Sequence, residues 1–173
     1  MMMSQSRMVR GLVACLVLGF GAYVWAGEVD TLVVPDKVLF AKNLIVRGKT
    51  KTECRLEERV ADDIKRNVGR VYTNVVSEKP KSGKYHVLEV EIVDVFGAGG
   101  GGWSGPKHLE LQGRLLDKGG KIVGSFRGRR TSAAGFTALK GTCSMLHKCS
   151  KTLGKDVAAW LQDPKPNSYL GNE

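Results

Sequence analysis

The chain is poor in the residues from which catalytic centres are assembled. It has 3 histidines, His86, His108 and His147. Sequence spacing sets none of them beside a nucleophile and a carboxylate. Neither H-E-x-x-H nor G-x-S-x-G occurs, so the zinc-peptidase and hydrolase signatures are absent. Acidic residues are few, with 17 Asp+Glu against 27 Lys+Arg. No apolar run reaches the ~20 residues that a lipid-spanning helix needs. There is no internal repeat.

The first residues carry the clearest signal. Arg7 and Arg10 form a positive start, and an apolar run follows from Gly11 to Tyr23. Val24-Trp25-Ala26 then places small residues where a signal peptidase reads, just before Gly27. This pattern predicts a secretory signal over 1–26, cleaved after Ala26. It leaves a single domain over 27–161 and a polar, flexible tail over 162–173. Leu12-Val13-Ala14-Cys15 imitates the box before a lipidated cysteine, but only Gly11 to Ala14 separate Cys15 from Arg10, too few for a hydrophobic region. Loss of Arg7 and Arg10 leaves 25 basic residues against 17 acidic, a net +8. In a periplasmic or secreted protein that charge meets lipid headgroups, cell-wall polymers or an acidic partner rather than nucleic acid. The basic residues are dispersed, apart from Arg127, Arg129 and Arg130.

Periodicity gives an outline of the fold. Residues 31–34 and 38–46 read as strands separated by Pro35-Asp36. Thr50 and Glu53 have capping-box spacing, and Leu56, Val60, Ile64 and Val68 then mark one amphipathic helix ending near Gly69. Residues 70–77 read as a strand. From Tyr85 to Phe96 a long strand carries Leu88, Val90, Ile92 and Phe96 on one face and Glu89 and Glu91 on the other. His108 to Leu116 alternates again, turns at Asp117-Lys118-Gly119-Gly120, and returns through Lys121 to Arg130. A four-residue loop sets Leu115 against Ile122, Leu111 against Phe126, Gly113 against Gly124 and Glu110 against Arg127. Gly113, Gly124 and Gly128 then flatten one face for a helix. That helix is marked by Met145, Leu146, Cys149, Leu153, Val157, Trp160 and Leu161. The sum is an α+β fold: a mostly antiparallel sheet of about five or six strands with two helices packed on one face.

Three features are candidate sites. In the first, Gly97, Gly99 and Gly102 spell G-x-G-x-x-G. A dinucleotide turn needs a helix directly after it, and here a strand follows, so no cofactor is expected. The loop reads as a flexible hairpin connection with Trp103 at its tip, a candidate partner contact. The second is the cysteine set. Cys54, Cys143 and Cys149 survive cleavage, and an exported protein is expected to form a disulfide. Cys143–Cys149 is the expected pair if Cys143 lies in the loop before the last helix; Cys54 meets Cys143 instead if the two helix starts adjoin. Thiol-redox or metal chemistry using Cys54, Cys143, His147 and Cys149 is the alternative. The third is the arginine cluster. Arg127 pairs with Glu110 and Arg129 lies beside His108, or else Arg129 and Arg130 are free to meet an anionic partner.

The order of a long strand, a glycine-rich loop, a hairpin at Asp117-Lys118-Gly119-Gly120-Lys121 and a last helix reading L-G-K-D-V-A-A-W-L resembles an uncharacterised family of bacterial envelope proteins. It is similar in organisation to the small α/β module of the TolB N-terminal domain and of curli-secretion lipoproteins. The resemblance implies a periplasmic or outer-membrane-associated adaptor, not an enzyme. The lipid anchor common in such relatives has no convincing counterpart here. The sequence as a whole points to an exported, non-enzymatic binding or assembly domain, whose partner is an envelope protein or an anionic envelope surface.

Overall fold

Alternating strands build the centre of the sheet. The structure is a computed structural model that describes residues 29–46, 48–132 and 141–171. The expected signal, its cleavage after Ala26 and the question of Cys15 lie outside the described residues. Strands β3 (His86–Phe96), β4 (Lys107–Leu116) and β5 (Ile122–Ser132) pair antiparallel in sequence order. Three short strands flank them: β1 (Thr31–Val33), β2 (Asn74–Val76) and β6 (Ser168–Gly171), in the order β2-β1-β3-β4-β5-β6.

The α+β class is as expected, but the sheet is mixed rather than mostly antiparallel. Strand β1 runs parallel to β2 and β3, and β6 runs parallel to β5. The cause is connectivity. Helices α1 (Gly48–Glu53) and α2 (Leu56–Val68) lie between β1 and β2, and α3 (Thr142–Trp160) lies between β5 and β6. A helical crossover returns the chain to the end of the sheet it left, so the joined strands run the same way. The tail expected to be flexible supplies β6. Its place is made by missing side chains: a Cβ on Gly124 would lie 2.9 Å from the Trp160 ring, and one on Gly128 3.1 Å from Leu170. The Trp160 indole N–H donates to Lys165 O (3.2 Å) and Ser168 Oγ (3.1 Å), fastening the segment to α3.

Two further expectations are corrected. Residues 38–46 do not form a strand; they keep one bridge, Phe40 to Ile92. After Pro35 the chain leaves the sheet, and the Val38 N–H donates to Glu57 O of α2 (2.9 Å). The helix after Thr50 is broken in two at Arg55, whose φ of 46° is left-handed. Thr50 is not a cap: it lies inside α1, and its hydroxyl donates to Gly97 O (3.0 Å).

The β4–β5 register is displaced by two residues from the expected one. Leu115 faces Gly124, Gly113 faces Phe126, Leu111 faces Gly128 and Glu110 faces Arg129. The loop is one residue shorter than expected, because the Asp117 N–H donates to Lys121 O (2.9 Å), and Gly120 takes a φ of 84°. A bulge between Leu115 and Leu116 adds the second step. A two-residue displacement keeps every side chain on its face. It also replaces like-with-like pairing by large against none. A Cβ on Gly113 would sit 2.5 Å from the Phe126 ring, which instead packs edge-on against Trp160 at 4.9 Å.

The core lies between this face and the helices. Leu88, Ile92, Leu109, Leu111 and Leu115 from the sheet meet Leu56, Val60, Ile64, Leu146, Leu153 and Val157. The stripes of α2 and α3 are those the periodicity predicts.

Candidate binding end of the sheet

The disulfide joins Cys54 to Cys143, not Cys143 to Cys149. Gly141 precedes α3, so Cys143 already lies in its first turn. Cys149 is on the same rigid helix, beyond reach. Cys54, at the α1–α2 break, has its Cα 4.9 Å from that of Cys143: the two helix starts adjoin. Cys149 is a free, buried thiol. Its S–H donates to Lys107 O (3.7 Å), and burial pushes its pKa up to about 11. His147 Nε2 donates to Cys54 O (2.8 Å). Among the described residues, no group of three or more His, Cys, Asp or Glu side chains could hold a metal ion.

The arginine cluster is engaged by the protein's own side chains. Arg127 Nε donates to Glu110, itself buried, and Arg129 lies 3.9 Å from the same carboxylate. Arg129 also donates to His108 Nδ1 (3.1 Å), which places the ring proton on Nε2, facing Asp94 (2.8 Å). Arg130 points to the other face and grips Asp156 of α3 through two bonds, 2.8 and 2.9 Å. Arg129 and Arg130, candidates for partner contact, are thus held in ion pairs on opposite faces of the sheet.

The glycine loop is held rather than slack. After β3, Gly101–Ser104 forms a short 3-10 turn, and β4 starts at Lys107. No long helix begins there, so the phosphate-binding geometry is absent from the described residues. Gly100 (φ 94°) and Gly105 (φ 83°) adopt backbone conformations that favour glycine. Thr50 reaches Gly97 O; Thr142 and Ser104 both donate to Ala98 O (2.9 and 3.1 Å). Lys107 is fully buried beneath the loop, and its ammonium donates to Ser104 Oγ (3.0 Å) and Gly105 O (2.6 Å). Desolvation lowers its pKa. Sequence reading passed over Lys107 because burial of a lysine has no local signature.

These ties present Trp103, which is 80% exposed. Ile45 is 96% exposed and Phe96 43%. Ile45 and Phe96 share the wall of a recess of about 220 Å³ with Val46, Thr50, Val95 and Gly97. Phe96 also stacks on His108 at 5.6 Å. Ile45 was missed because it belongs to an apolar run that reads as strand; Phe96 was expected on the apolar face with Leu88, Val90 and Ile92, and the bulge between Ile92 and Asp94 turns it outward. A second recess, of about 620 Å³, lies on the sheet near β1–β4 and includes Lys37, Leu39, Glu89 and Arg114. Arg114 and Glu89 pair across it at 2.8 Å.

No family model and no curated protein matches the chain. Solved structures with a related arrangement include the PelC dodecamer from Paraburkholderia phytofirmans, at 12% identity and a TM-score of 0.40, covering 71% of this chain and 87% of that one. A leucine-to-methionine variant of that dodecamer has 14% identity and a TM-score of 0.41, with the same coverage. Protein XCC0632 from Xanthomonas campestris, of family DUF330, has 11% identity and a TM-score of 0.42 over 76% of this chain and 82% of its own. None of the three is a TolB module or a curli-secretion lipoprotein, and at these values the likenesses assign this chain neither a family nor an activity.

Proposed function

We propose that the protein is an exported, non-enzymatic domain of the bacterial envelope that acts by binding, as an accessory to an assembly. The observation that carries this reading is the end of the sheet where Trp103 stands exposed on a tied loop and Ile45 stands exposed as well. Large apolar side chains held in that way serve contact with a partner rather than the core. Two further facts support it. A disulfide suits an oxidising compartment, and among the described residues no helix is long and apolar enough to cross a membrane. Thiol-redox chemistry is disfavoured, because it needs an accessible, acidic thiol, and the free cysteine among the described residues is buried with its pKa raised.

The test is a photoreactive amino acid placed at Trp103, at Ile45 and, as control, at the exposed Lys151 of α3. On irradiation of intact cells, adducts are expected from the first two positions and not from the third. Equal adducts from all three, or none, defeat the reading. The mass of the purified protein, expected to begin at Gly27, checks export separately.

A further inference from the structure

We infer that the Trp103 end docks on an anionic lipid surface, with Trp103 and Ile45 entering the headgroup boundary and the surrounding lysines facing lipid phosphates. This rests on the binding reading above and names the partner. The first argument is charge. The segments that build this end are free of acid: no Asp or Glu occurs from Lys37 to Thr52 or from Val95 to Leu109. In the first of them, Lys42 and Lys51 are exposed. The Lys51 ammonium lies 5.8 Å over the Phe40 ring. The nearest carboxylates along the strands, Asp94 and Glu110, are held by His108 and by Arg127 and Arg129. Glu53, exposed at the end of α1, lies two residues beyond Lys51, so from Lys37 to Glu53 five basic residues stand against one acidic, a local excess of positive charge on the segment that carries Ile45.

The second argument is shape. Ile45 and Trp103 stand out, 96% and 80% exposed. A protein partner would need a matching pocket for each; a bilayer accepts both without one. Tryptophan favours the headgroup level, where its ring is apolar and its N–H remains wet. A small apolar insertion binds weakly by itself, and nearby lysines on an anionic surface supply the rest. Such contact needs no crossing helix.

The experiment is flotation of the purified chain with phosphatidylcholine vesicles, with and without an equal part of phosphatidylglycerol. Partitioning to the anionic vesicles is expected to be at least about tenfold stronger, and to fall as salt is raised. Trp103→Ala is expected to weaken it roughly fivefold, and Lys42→Glu with Lys51→Glu about tenfold or more. All three side chains are exposed, so unchanged thermal melts separate lost docking from lost fold. Brominated lipid is expected to quench Trp103 emission. No flotation with either vesicle, equal flotation with both, or flotation indifferent to Trp103→Ala overturns the inference. If vesicles fail while the photoreactive residue at Trp103 captures a protein, the binding reading stands and the lipid assignment falls; if both fail, both fall.

Discussion

Tyr72 and His86 form a part-buried hydrogen-bonded pair, the phenol oxygen 2.9 Å from His86 Nδ1. Desolvation raises the Tyr72 phenol to about 12. Burial lowers the His86 pKa, with Asp117 pulling weakly upward. The unfolded chain therefore takes up a proton at this site before the folded one does. Stability is full above the unfolded value of about 6.5 and declines as pH falls through it toward the folded value. Urea midpoints measured between neutrality and mild acid should fall, and His86→Gln should flatten that slope. Asp36 and Glu58, both with lowered pKa, lose their contributions only in stronger acid. If His86→Gln leaves the slope unchanged, the account is wrong. Cys149 gives a second residue-scale prediction. In the chain that begins at Gly27, a thiol-specific reagent should leave the native protein untouched and label one cysteine after denaturation without reductant; labelling of the native protein counts against the buried thiol and its disulfide partners. That the chain would form a disulfide was legible in the sequence. Its pairing was not, because it depended on two helix starts meeting across 89 residues.

At the scale of elements, α2 and α3 meet through a contact hidden by the charge pattern. Asp63 sits in a run that reads as a solvated face, yet it is fully buried. Its carboxylate accepts from Arg59 and Arg66, one turn away on either side, and from Ser150 of α3 at 2.8 Å. Gly154 lets the helices approach: a Cβ there would lie 2.6 Å from the Asp63 carbonyl oxygen. In an open helix, Gly→Ala would gain up to about 1 kcal/mol. Here the methyl meets backbone, and overpacking costs about 1–3 kcal/mol. Gly154→Ala should therefore destabilise the protein by ~1–2 kcal/mol in urea unfolding; a stabilised variant sinks the claim. The stripes of α2 and α3 were legible, since Leu56, Val60, Leu153 and Val157 repeat at helical spacing. Asp63 and Ser150 were not, because a buried polar pair leaves no period. Strand β6 was equally hidden. Its four residues lack alternation, and the groove beside Gly124 and Gly128 places them. Ending the chain at Asp163 should uncover Trp160 and speed amide exchange along β5, and unchanged protection there counts against β6 as a structural strand.

For the whole molecule, the antiparallel centre could be read from alternation, whereas the parallel flanks depend on crossovers that bring distant segments together. The disulfide bears on that long-range order. It ties the α1–α2 break to the start of α3. These are the segments that also hold the glycine loop, through Thr50 and Thr142. Closing 89 residues restricts the unfolded chain, and the entropic account puts the stabilisation at about 4–5 kcal/mol, with measured bridges more often ~2–4. For a domain of this size, ~3 kcal/mol corresponds to a fall in Tm of roughly 10 °C. Cys54→Ala with Cys143→Ala should show that fall while keeping the native amide spectrum at low temperature, because most of the core between α2, α3 and the sheet lies beyond the bridge, although Cys54 itself is buried in it. Reduction of the unaltered chain should approach the same Tm. An unchanged Tm would mean that the unfolded chain is already held together near these residues. A lost native spectrum would mean that the helix starts cannot find one another without the bond.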